Sequence, residues 1–138
     1  MAGRTKALAL LTRDAILASD DRTYEYVEVP EWKGRVRVQS LTGTERDQYD
    51  LWLITGKGAK RDVNLINARA KLVVRAVVDE EGKRIFDEAD VVPLGRKNAA
   101  AVQRIFDVAS KMWGLNEEAI EELTADLGND PSDDSGSA

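Results

Sequence analysis

The chain has 138 residues, 43% of them apolar and 33% charged, which suits one domain with a buried core and a well-solvated surface. It has no cysteine and no histidine, which excludes disulfides, thiolate metal sites, cysteine nucleophiles and imidazole general bases. Its net charge of −5 argues against general nucleic-acid binding, because neutralising phosphates needs an excess of clustered Lys and Arg.

In chain order, Ala7 to Leu11 is the first apolar stretch, too short for a signal-peptide core or a membrane span. A soluble, cytoplasmic chain is expected, with residues 1–10 flexible. Thr12 is a candidate N-cap for a short helix through Ala18. Residues 23–29 and 35–41 read as strands, rich in Tyr and Val, around a turn with Pro30 at its start and Gly34 at its end. With Glu31 to Gly34 as the loop, Val27 would face Val38, Val29 would face Val36 and Glu28 would face Arg37. Thr42-Gly43-Thr44-Glu45 is a capping-box pattern and opens a helix to about Ile54, with Tyr49, Trp52 and Leu53 at helical spacing.

Gly56 to Arg61 reads as a basic, flexible loop. Residues 63–78 are the most apolar stretch. Ile66, Ala70, Val73 and Val77 follow the helical period, and Leu65, Leu72 and Ala76 widen the stripe, predicting a buried helix that turns into strand at Val77-Val78. Asp79 to Gly82 is a turn, and Arg84-Ile85-Phe86 leaves it as a short strand, making a small second hairpin. Asp87 can cap one helical turn ending near Pro93-Leu94-Gly95. Asn98 then caps a helix to Trp113, with Gly114 at its end. A last helix is expected over 117–127. Residues 116–138 hold eight acids and no base, so the remainder carries twenty bases against seventeen acids, a net +3. The predicted fold class is α+β: a mostly α-helical single domain over 1–128 with an N-terminal β-hairpin and a small second one, then a disordered acidic tail, 129–138.

Candidate chemistry is sparse. Gly56 to Arg61 lacks the strand before it and the Ser or Thr after the Lys that a phosphate loop needs. Asp79-Glu80-Glu81-Gly82 places its Gly too early for a calcium loop. Glu117/Glu121 and Glu118/Glu122 lie at i,i+4 spacing, as solvated face residues do. No catalytic residue, metal site or cofactor is therefore assigned, and a carboxylate-and-metal hydrolase is disfavoured. Lys57, Lys60, Arg61, Lys71 and Arg75 belong to a basic stretch that also holds Arg69; it suits an acidic protein surface, a nucleic acid, or plain solubility. Trp32 at a turn tip either folds back on the domain or anchors a partner. Trp52 and Trp113 lie on apolar helix faces and read as core. These six residues, Trp32, Lys57, Lys60, Arg61, Lys71 and Arg75, are the candidate partner-binding set.

The order of motifs resembles the tail assembly chaperones of long-tailed bacteriophages. The residues that carry it are Leu11 to Ala18, Val27 to Val36, Leu41 to Arg46, Val78 to Phe86 and the helices of 98–127, together about residues 11–127. Lys33-Gly34 departs from the two glycines expected there. The resemblance implies a non-enzymatic assembly factor in the host cytoplasm. It would bind the tape-measure protein, keep it soluble, help tail-tube subunits polymerise around it, and be absent from the mature virion. Its partners would be the tape-measure and tail-tube proteins, with self-association open and no membrane. A small nucleic-acid-binding regulator using residues 57–75, and another phage morphogenesis factor, are the alternatives.

Overall fold

The structure, a computed structural model, describes residues 8–114. The helix expected at 117–127 and the tail at 129–138 lie outside the described residues. Thr12 caps α1 (Arg13–Ala18), its hydroxyl accepting from the Ala15 amide at 3.1 Å. No residue of α1 is buried.

The hairpin forms, but its register is a correction. In β1 (Tyr24–Val29) and β2 (Gly34–Gln39), Val27 faces Val36, Glu28 faces Arg35 and Val29 faces Gly34. The expected partners, Val38 for Val27, Val36 for Val29 and Arg37 for Glu28, are each two positions away. The turn is the cause. Pro30–Trp32 winds into a single 3-10 turn and Lys33 takes a left-handed conformation, φ 57°, so the loop runs from Pro30 to Lys33 and Gly34 is already strand. Side chains alternate with period two, so a shift of two leaves each on its own face. Val27, Val29 and Val38 are accordingly all in the core. A short β5 (Val77–Val78) pairs antiparallel with β2, giving the order β1-β2-β5.

α2 (Gly43–Trp52) opens with the expected capping box. The Thr42 hydroxyl accepts from the Glu45 amide at 3.1 Å, and the Glu45 carboxylate accepts from the Thr42 amide at 2.9 Å. The helix stops at Trp52, and Ile54 goes into β3 (Ile54–Thr55), which pairs with β4 (Asp62–Val63). The basic loop is thus the connection of a small hairpin. Gly56 is required in it: φ is +82°, and a Cβ would strike the Lys60 carbonyl.

The buried helix is shorter than the stripe suggested. α3 spans Ala68–Ala76. Asn64 accepts from the Ile66 amide through its side chain, and Asn67 adopts φ 63°, so the chain turns before it can wind. Ile66 is consequently 75% exposed rather than part of the stripe. Ala70, Leu72, Val73, Ala76 and Val77 are buried as expected, and Val77-Val78 is strand. The following turn is held by the Asp79 carboxylate, which accepts from the Glu81 and Lys83 amides. It returns as one bridge, Val78 to Arg84, with no strand through Phe86. Asp87 caps a 3-10 turn (Glu88–Asp90) that leads into α4 (Val91–Gly95). Asn98 caps α5 (Ala99–Trp113), and Gly114 ends it at φ 71°.

α5 buries Val102, Ile105, Phe106, Ala109 and Trp113 against the inner face of the sheet and against α3. At its C-terminal end the elements are tied by directional contacts. The Trp113 indole N–H donates to the Gln39 main-chain carbonyl at 3.0 Å. Its ring meets Tyr49 edge-to-face, centroids 5.6 Å apart. The Tyr49 hydroxyl donates to the Ala68 carbonyl, and the Gln39 side-chain amide to the Arg75 carbonyl, both at 3.0 Å.

Two outcomes follow from this packing. Tyr49→Phe leaves its volume in place and removes a buried hydrogen bond, so urea unfolding should show a loss of about 1–2 kcal/mol. Lys33→Gly relieves a left-handed non-glycine residue and should raise stability by about 0.5–1 kcal/mol in the same measurement.

Candidate functional site

Two of the candidate cations are brought together by the docking of α3 on the end of α2. Lys71 and Arg75 are one helical turn apart on α3. Lys71 Nζ lies 5.4 Å from the Trp52 ring centroid and the Arg75 guanidinium carbon 4.9 Å from it. Lys71 also donates to the Trp52 carbonyl at 3.3 Å, capping the negative end of α2. Burial lowers the pKa of Lys71. Burial also lowers that of Arg75, and the neighbouring Arg84 charge adds to the effect. Trp52 itself is half-buried against the core. Lys71 and Arg75 therefore serve first to seat α3 on Trp52, which reduces what they present to a partner.

Lys57, Lys60 and Arg61 lie exposed in the connection between β3 and β4, on a different element from Lys71 and Arg75. Trp32 sits at the hairpin tip and packs half-buried against the core. That tip is tied to α5 by Arg104, whose guanidinium meets Glu31 at 2.6 Å. The six candidates are thus spread over the hairpin tip, the β3–β4 connection and the α3–Trp52 contact.

A different surface, which sequence reasoning passed over, is the outer face of the sheet. Tyr24 and Tyr26 flank Glu25 on β1, and Arg35 and Arg37 flank Val36 on β2. Pairing interleaves them: Arg35 stacks 4.1 Å from the Tyr26 ring centroid and Arg37 3.9 Å from that of Tyr24. The Tyr26 hydroxyl donates to Glu80 at 2.9 Å, and Arg37 donates to the Asp79 carbonyl at 3.0 Å. Tyr24 and Tyr26 stay exposed, as does Ile85. A groove of about 290 Å³ lies on this face, lined by Tyr26, Arg35, Arg37, Val78, Glu80 and Ile85. Tyr and Arg are the side chains most enriched where protein interfaces carry their binding energy. The available signal was the Tyr-x-Tyr and Arg-x-Arg alternation, which the period-two rule puts on one face each.

Among the described residues, no group of three Asp or Glu side chains is placed to hold a metal ion, and no helix is long and apolar enough to cross a membrane. The surface built from these elements is one for contacts. A family model described as phage tail assembly chaperone matches residues 12–126. The chain belongs to that family. No curated protein matches the chain, and no solved structure does.

The α2 N-terminus that positions Trp52 is sensitive to acid. Arg22 grips Glu45 with both arms, at 2.7 and 3.2 Å. Burial pushes the Glu45 carboxyl up, but the Arg22 hydrogen bonds and the Thr42 amide outweigh it and hold the carboxyl below its usual 4.5. A carboxyl lowered on folding stabilises the fold above its unfolded value, and that contribution is lost as pH falls through the folded value. Melting temperature should therefore drop in the wild type below about pH 4.5, and Glu45→Gln should be less stable at pH 7 with a flatter acid limb.

Proposed function

We propose that this protein acts without catalysis, by binding the tape-measure protein, keeping it soluble and helping tail-tube subunits polymerise around it. It works in the host cytoplasm and is left out of the mature virion. The family match over residues 12–126 carries the reading, since it supports a role in tail assembly. The absence of cysteine and histidine from the chain supports the non-catalytic part. The outer sheet face, with Tyr26, Arg35 and Arg37 lining a groove and Tyr24 exposed beside Arg37, is the surface we assign to the client. Its aromatic rings offer apolar area, and its arginines offer charge to a polar or acidic stripe on a long client. The engagement of Lys71 and Arg75 on Trp52 weighs against the nucleic-acid alternative, because it ties two of the basic side chains of residues 57–75 to a helix contact.

Co-expression with fragments of the tape-measure protein from the same phage tests the reading. The full chain should co-purify with at least one fragment. Replacing Tyr24 and Tyr26 together by Ser should weaken that capture by about tenfold or more. The double variant should keep the wild-type circular dichroism spectrum. Capture of no fragment, combined with salt-dependent retention on DNA, would favour the regulator instead.

A further inference from the structure

Four separate segments converge on a small cavity that neither the outer sheet face nor the family match accounts for. Leu41 precedes α2, Glu45 and Gln48 come from α2, Arg75 from α3, and Arg84 from the bridge that follows β5. The cavity measures about 50 Å³, room for one small polar group. Its charge is unbalanced. Among the described residues, Arg75 Nε is buried and has no hydrogen-bond partner, although a buried N–H without one is costly. The Arg75 guanidinium carbon lies 4.9 Å from the Trp52 ring centroid, a contact that provides no acceptor in the ring plane for the Nε–H. Burial lowers the pKa of Arg75, the Arg84 charge adds to the effect, and the Glu88 and Glu45 carboxylates oppose it. Glu45 also lines the cavity, but both its oxygens are held by Arg22, and one also accepts from the Thr42 amide. Two guanidinium groups thus share a cavity whose one carboxylate is already engaged.

We propose that the cavity between Arg75 and Arg84 is a socket for a single carboxylate, presented by an acidic side chain of a protein client. A planar carboxylate matches the edge of a guanidinium, which can donate two parallel hydrogen bonds to it. A monoanion suits the site better than a phosphate, because Glu45 lines one wall and would repel a dianion more strongly. Gln48, exposed at the rim, adds a side-chain amide as a further donor. Only the protein origin of the carboxylate rests on the tail-chaperone reading; the socket itself does not.

The test follows the Arg75 Nε–Hε signal of the full chain by NMR, titrating sodium acetate against chloride at constant ionic strength. Acetate should shift that signal saturably, with a dissociation constant on the order of 10 mM for so small a ligand. Acetamide should not. Arg84→Gln, an exposed position, should weaken acetate by about fivefold or more, while Lys83→Gln removes the same charge next door and should leave it unchanged. A shift that fails to saturate, equal effects of the two variants, or tighter binding of inorganic phosphate than of acetate would each overturn the socket. Failure of tape-measure capture would leave these titrations untouched, so the two readings fail separately. If acetate binds but Arg84→Gln captures tape-measure fragments as well as wild type does, the client origin of the carboxylate is overturned.

Discussion

The fold depends on where the Trp113 indole places its N–H. A buried indole nitrogen needs an acceptor, and the Gln39 carbonyl on β2 is the one it finds. That bond ties the end of α5 to the main chain of the central strand. The same ring then sets Tyr49 edge-on, and Tyr49 in turn holds the first turn of α3 through the Ala68 carbonyl. The Gln39 side chain closes the circuit on the last turn of α3 at Arg75. Arg46 adds a bond from α2 to the Trp113 carbonyl at 3.3 Å. One strand and three helices meet at this point through bonds with direction, while the valines and alanines around them supply area without direction. Burial pushes the Tyr49 phenol well above its usual range, which favours the protonated hydroxyl that donates to Ala68.

With α5 and α3 committed to the inner side of the sheet, the outer side is left to Tyr24, Tyr26, Arg35 and Arg37. Stacked cations keep such rings in water without burying them. A protein that must meet a long client and still remain dissolved gains from that combination: apolar area interleaved with charge. Arg35 and Arg37 therefore have a different character from Lys71 and Arg75. The first pair lies over exposed rings, and the second pair holds two helices together across Trp52.

Much of the local structure is legible in the sequence because its causes are local. Thr42 with Glu45, Asn98 before its helix, Asp87 before its turn and Gly114 after Trp113 each satisfy or release backbone groups within a few residues. Alternation places Val27, Val29 and Val38 on one face of the sheet, and all three are buried there. It does not state the hairpin register, because a shift of two residues leaves alternation unchanged; only the left-handed Lys33 distinguishes the two loops. The stripe of 63–78 overran at its start because side-chain capping at Asn64 and the positive φ of Asn67 interrupt a period that continues in the letters.

The sequence by itself determined the α+β class, the helix caps, most of the buried faces and the lack of cysteine and histidine, all of which depend on residue type and near neighbours. The resemblance in motif order likewise led to the family that the match over residues 12–126 shows. Tertiary structure alone decided what the basic residues are for. Lys71 and Arg75 are spaced to share a face in any helix, but Trp52 reaches them only when α3 docks on the end of α2. Arg84 joins Arg75 at one cavity only through the turn at Asp79 and the bridge to Val78. A charge's role depends on what stands within a few ångströms of it, and those neighbours come from distant parts of the chain.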